Sequence, residues 1–234
     1  MPLIQRLLAG SNRQASLMNT PQQDATALIT QTALSPWPLW LLPQWLAATE
    51  ADQLLEQFDR ELPWQQPTIT LYGTQHPIPR SQVWVGDAGS SYRYSGTRFE
   101  PEPWTPLLLA LRQRLEAIQR EVAQRQGWHA LTAPNSVLLN RYQDGNHKMG
   151  FHRDNEPELG PNPVIWSLSL GEPRDMRFKP IKGIAGEAFN VRLPHGSLLL
   201  MGPDSQRLLQ HGIPARSRGG LRISLTFRSI VGRA

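Results

Sequence analysis

The segment Leu221-Arg222-Ile223-Ser224-Leu225-Thr226-Phe227-Arg228 decides the fold. Its period of two sets Leu221, Ile223, Leu225 and Phe227 on one face and Arg222, Ser224, Thr226 and Arg228 on the other, as in a β-strand. The apolar face is expected to pack against neighbouring structure. Two arginines and two hydroxyls on a partly enclosed face are costly without an anion, because buried charge needs a partner, and a dicarboxylate would supply one. An exposed strand with two solvated arginines is the reading this segment alone favours, and it loses ground once His211, shortly before the strand, is considered.

Working upstream, short apolar runs separated by turn residues continue back to Asn135: Ser136 to Tyr142, Val164 to Leu170, Met176 to Phe178, Phe189 to Leu193 and Ser197 to Met201, with the last run extending from Leu221 to Ile230. Two helices precede this β half. One is expected from Glu50 to Leu62 with Thr49 as N-cap. The other opens on Thr105 and Pro106, carries an apolar stripe of Leu108, Leu111, Leu115, Ile118 and Val122, and stops at Gly127. The pattern predicts an α+β chain with a mostly β core, a β-sandwich or jelly roll with supporting helices on one outer face, whose interior can hold a metal site.

With 234 residues the chain fits one domain, or one domain with an extension. Gly10 to Thr32 is polar and aperiodic, so residues 1–34 are expected to be a flexible extension and 35–234 the folded domain. Met1 to Gln23 holds Arg6 and Arg13 but no acid, faintly like a transit peptide; a disordered bacterial tail is the preferred reading. The expected location is cytoplasmic in a bacterium, with an organelle or the nucleus open for a eukaryotic source. No apolar run approaches the roughly 20 residues of a membrane helix.

Lysine plus arginine number 24 against 19 acids, a net charge of +5 that helps hold a polyanion. Only Lys148, Lys179 and Lys182 are lysine. The arginine bias suits bidentate phosphate and carboxylate contacts, and a GC-rich genome produces the same bias. The absence of cysteine excludes disulfides, zinc-thiolate sites and a cysteine nucleophile, so any metal must be held by His, Asp or Glu.

His152-Arg153-Asp154 is the sharpest local feature. In an extended segment His152 and Asp154 share a face and can meet one ion while Arg153 points away. Two histidines and a carboxylate leave open positions on iron(II) for a chelating cosubstrate and oxygen. The third ligand comes from His76, His129, His147, His195 or His211. His211 is favoured because it lies shortly before the arginine-bearing strand; His195, in Pro194-His195-Gly196, reads as a turn residue.

These residues resemble the AlkB family of iron(II) and 2-oxoglutarate dependent dioxygenases, closest to the branch that repairs duplex DNA. The matching segments are Pro79-Arg80, Gly86-Asp87-Ala88-Gly89, Tyr92 through Gly96, Asn140-Arg141-Tyr142, His152 to Glu158, His195-Gly196-Ser197, His211, and Arg222 through Arg228. The resemblance implies a double-stranded β-helix, the cupin-like form of jelly roll. It implies Fe(II) on His152, Asp154 and His211, and 2-oxoglutarate bound by Asn140, Tyr142, Arg222, Ser224, Thr226 and Arg228. Arg222 would take the far carboxylate and Arg228 the metal-bound end. The family commonly has Asn where this chain has Ser224.

The implied reaction removes alkyl groups from N1-methyladenine or N3-methylcytosine in DNA by hydroxylation coupled to 2-oxoglutarate decarboxylation, with release of formaldehyde. A damaged base must be flipped out or arrive single-stranded. Tyr92, Tyr94 and Ser95 resemble the substrate pocket. Glu156 could favour a cationic base, and Asn155 stands where an acid is common. Tyr72 falls where the duplex branch has an aromatic finger, although a hairpin or core tyrosine reads equally well. Arg80, Arg98, Lys148 and Arg153 are candidate phosphate contacts. The expected partners are alkylated DNA, with RNA open, and molecular oxygen, with no membrane and a monomeric state. Competing readings are an oxygenase acting on RNA, protein or a small molecule, and a non-catalytic nucleic-acid binding module.

Overall fold

The computed structural model describes residues 33–231 apart from 72, 95–96 and 129–130, with the backbone alone at 69–71, 92–94 and 97–99. The extension expected over residues 1–34 lies outside these residues up to position 32.

Fourteen strands and three helices are described. The strands are β1 (Leu39–Leu42), β2 (Thr68–Leu71), β3 (Thr74–Pro77), β4 (Ser81–Gly86), β5 (Tyr92–Tyr94), β6 (Thr97–Phe99), β7 (Ser136–Tyr142), β8 (Met149–His152), β9 (Ile165–Gly171), β10 (Arg174–Pro180), β11 (Phe189–Leu193), β12 (Ser197–Met201), β13 (Leu209–Ile213) and β14 (Arg222–Arg228). The helices are α1 (Ala48–Glu61), α2 (Pro106–Gln126) and α3 (Ser205–Leu208), with a 3-10 turn at Pro157–Leu159. Two antiparallel sheets face each other, one ordered β1-β12-β9-β14-β7-β4 and a smaller one ordered β11-β10-β13-β8. Hairpins β2-β3 and β5-β6 stand apart from both.

Alternation along the strands sorts the core into two layers. Ile223, Leu225 and Phe227 of β14, with Leu168 and Leu170 of β9 and Leu198 and Leu200 of β12, turn outward onto the buried stripes of α1 and α2. Ile165, Leu199, Met201, Met176, Phe178, Val191 and Leu193 fill the space between the sheets. Both long helices therefore cover one outer face of the large sheet, leaving the inner face for chemistry. The mostly β jelly roll with helices on one face is the observed fold.

Helix α2 begins and ends as its sequence predicts. The Thr105 hydroxyl accepts the Leu108 N–H at 3.3 Å, Pro106 occupies the first helical position, and Gly127 closes the helix with φ 65°, a conformation in which a side chain would be strained. Helix α1 corrects the expectation: it begins at Ala48 with Ala47 as an N-cap that makes no side-chain bond, so Thr49 lies inside the first turn. Within that first turn the Glu50 carboxylate reaches Arg114 of α2 at 2.5 Å, tying the two helices together. The sequence marks no strand at β1 to β6 or β13, and β8 only as the extended segment at His152.

Candidate active site

Strand β14 lies between β7 and β9 in the large sheet, which fixes what its polar face meets. Ser224 pairs with Asn140 on one side and Ser169 on the other; Ser169 then pairs with Ser197 and Asn140 with Gln82. A row of short polar side chains thus crosses five strands on the inner face. The flanking row is Tyr142 and Arg222, paired directly across β7 and β14. Solvated arginines are ruled out here, because Arg222 is 0 % and Arg228 3 % exposed.

Across the cavity, β13 and β8 of the small sheet pair His211 with His152 directly. Their ring centroids are 4.4 Å apart. Asp154 follows β8 and turns inward, so that His152, Asp154 and His211 each present one ligand atom within 4.8 Å of the others. Of the other histidines, His76 is exposed on β3, and His147 accepts the Gln143 N–H at 3.0 Å. His195 sits in its predicted turn, where Nδ1 accepts the Gly171 N–H at 2.7 Å. His129 lies outside the described residues.

The electrostatics of this cluster suit a divalent cation. Burial and the neighbouring His152 push the His211 imidazole down to about 3, so it is neutral and offers a lone pair at physiological pH. Burial opposes charge on Asp154, yet the neighbouring Arg228 guanidinium holds its carboxyl below the usual range. Arg228 Nη2 donates to Asp154 Oδ1 at 2.6 Å. Oδ2 accepts no hydrogen bond from the described residues and stands 3.9 Å from His211 Nε2, leaving one buried anionic oxygen in want of a cation.

Arg222 has the opposite need. Its Nη2 donates to the Ser169 hydroxyl at 3.0 Å and its guanidinium carbon lies 5.1 Å from the Tyr142 ring centroid. Nε and Nη1 are buried with no hydrogen-bond acceptor among the described residues. Burial pulls this guanidinium down to about 10. One pocket joins Arg222 to the histidines and Asp154 and is also lined by Asn140, Tyr142, Ser224 and Thr226. An anion at Arg222 and a cation at the His-Asp-His cluster would thus occupy two ends of one space.

The model of the 2OG-Fe(II) oxygenase superfamily matches residues 38–228. The chain belongs to that superfamily. Within it, DNA oxidative demethylase ALKBH2 of Mus musculus is 34% identical over 194 residues, covering 78% of this chain and 76% of that one. Alpha-ketoglutarate-dependent dioxygenase alkB homolog 3 of Rattus norvegicus is 36% identical over 202 residues, covering 81% and 63%. These likenesses place the chain in the AlkB family. The solved structure of OsALKBH1 superposes with TM-score 0.57 at 18% identity, covering 82% of this chain and 98% of that one, which supports the fold. The oxygenase is therefore an enzyme that uses Fe(II) and 2-oxoglutarate. The orphaned Asp154 oxygen and Arg222 nitrogens fit that pair of groups.

Of the substrate residues expected in this oxygenase, Tyr72 and Ser95 lie outside the described residues, and Tyr92 and Tyr94 are described as the backbone of β5, opposite Phe99 and Thr97. Asn155 is exposed and Glu156 half-buried directly after Asp154; Lys148 is exposed. Arg80 departs from the expectation of a surface phosphate contact: it is 3 % exposed, and its Nε donates to Asn140 Oδ1 at 2.8 Å. Sequence reasoning missed Ser169, although Trp166 to Leu170 carries the same two-residue alternation as β14. It also missed Gln206, whose side-chain oxygen accepts the Asp154 N–H at 3.0 Å; no local pattern marks that residue.

Proposed function

We propose that this oxygenase removes alkyl groups from N-alkylated bases in DNA, such as N1-methyladenine and N3-methylcytosine. The observation that carries the proposal is the shared cavity, with His152, Asp154 and His211 at one end and the half-satisfied Arg222 at the other. The relatives named DNA oxidative demethylase direct the reading to DNA. Fe(II) and 2-oxoglutarate together supply hydroxylation of the alkyl carbon coupled to decarboxylation, and the hydroxylated group leaves as formaldehyde.

The protein's part is orientation. His152, Asp154 and His211 would hold the metal on one face, leaving positions toward the cavity. Arg222 would receive the far carboxylate through its two unbonded nitrogens, a charge-assisted pairing with the planar geometry that arginine favours. Asn140, Tyr142, Ser224 and Thr226 line the path between. Arg228, engaged with Asp154 Oδ1, would keep that carboxylate ionised and turned to the metal. Asn155 and Glu156, directly after the ligand Asp154, would meet the base, and Tyr72, Tyr92, Tyr94 and Ser95 are the further candidate contacts. Lys148 and Arg153 remain candidates for phosphate.

The test is formaldehyde release from an oligonucleotide bearing N1-methyladenine, single-stranded and duplex side by side, with Fe(II), ascorbate and 2-oxoglutarate. Release that needs both the metal and 2-oxoglutarate is expected. Uncoupled decarboxylation without formaldehyde from methylated DNA, but with it from methylated RNA, would move the substrate to RNA.

A further inference from the structure

The strand-to-strand row that crosses the site contains one carboxamide beside the cosubstrate space, that of Asn140. A carboxamide presents an acceptor on one side and donors on the other, and only the donors suit an anionic cosubstrate. Which side faces the cavity is set by whatever holds the other. Here the holder is Arg80. A guanidinium carries donors only, so the atom at 2.8 Å from Arg80 Nε must be the amide oxygen. The NH2 group of Asn140, which donates to no group among the described residues, is left for the cavity that Asn140 lines.

Arg80 is itself rigidly placed. Its N–H donates to the Ile78 carbonyl at 2.8 Å, and the preceding Pro79 carbonyl accepts the Lys148 N–H at 3.0 Å, tying the segment to the approach of β8. The side chain reaches inward over Gln82, the Asn140 partner on β4, and shares a second recess with His152, Asp154 and Arg228. Asn140's partner on the other side is Ser224, a hydroxyl that can rotate to donate or accept and so cannot fix the amide's polarity.

We propose that Arg80 is a positioning residue for 2-oxoglutarate, locking the Asn140 carboxamide with its NH2 group toward the cosubstrate. The inference rests on the cavity being the 2-oxoglutarate site. It is tested on the full chain loaded with Mn(II), by calorimetric titration with 2-oxoglutarate and by fluorescence anisotropy with a labelled DNA oligonucleotide. Arg80→Ala is expected to weaken 2-oxoglutarate about tenfold while leaving DNA affinity unchanged. Arg80→Gln, which keeps a donor without the charge, should recover part of that loss. In an Asn140→Ala background, Arg80→Ala should add almost nothing, because the residue acts through Asn140. Unchanged 2-oxoglutarate affinity in Arg80→Ala, or a loss confined to DNA, would overturn the proposal. So would a parallel loss of both ligands with a lower Tm in both variants, which marks a purely structural residue. A wild-type protein that binds Mn(II) but no 2-oxoglutarate would instead refute the site assignment itself.

Discussion

Replacing Arg222 with methionine should make the empty protein more stable and the cosubstrate nearly unable to bind. The drop from the ordinary guanidinium value to about 10 reports a charge held without enough partners, on the order of 3 kcal/mol at neutral pH. The folded-state value is lowered, so this penalty is full below about pH 10 and fades as pH climbs toward the ordinary guanidinium range. Arg222→Met removes it and fills much the same volume, at the cost of the bond to Ser169. Two charge-assisted hydrogen bonds from Nε and Nη1 to a carboxylate are worth roughly 3–6 kcal/mol together, which corresponds to about 10²- to 10⁴-fold in affinity. The assay is thermal unfolding of the Mn(II)-loaded full chain with and without saturating 2-oxoglutarate, alongside calorimetric titration. Wild type should gain strongly in Tm on adding 2-oxoglutarate, whereas the variant should start as high or higher and gain almost nothing. A variant whose Tm rises with 2-oxoglutarate as much as the wild type's would refute the idea that Arg222 awaits the carboxylate.

The remaining predictions concern the metal end and the frame. The double variant His152→Ala, Asp154→Ala should lose base-dependent 2-oxoglutarate turnover; retained turnover would show that the metal is held elsewhere. Gln206→Leu removes the acceptor of the Asp154 N–H and should weaken Mn(II) binding about 10- to 100-fold, read by titration, with little change in the 2-oxoglutarate affinity of the metal-saturated protein. Leu115 on α2 is fully buried far from the cavity, so Leu115→Ala should cost about 2–5 kcal/mol in urea unfolding yet keep formaldehyde release per folded molecule. A drop in specific activity at 25 °C would mean that the helix layer positions the site as well as supporting it.

Short-range physics determined a good deal of this protein. The alternation in Leu221 to Arg228 specified a strand with one apolar and one charged face, and the motif at Thr105 to Gly127 specified a capped helix, because both depend on neighbours within a few residues. His152 and Asp154 were legible as partners for the same reason. Long-range placement was beyond that reach. That His211 faces His152 depends on β13 pairing with β8, and nothing local in Leu209 to Ile213 announces a strand. Whether the arginines of β14 met water or a buried cavity was undecidable from the strand alone, since an alternating pattern is the same either way; closure of the small sheet over the large one buried them. Arg80 shows the limit most clearly. Its sequence reads as a surface arginine, and only the register that sets Gln82 beside Asn140 brings it inward onto the amide, because a hydrogen bond between residues sixty positions apart is made by the fold and leaves no trace in either residue's neighbourhood.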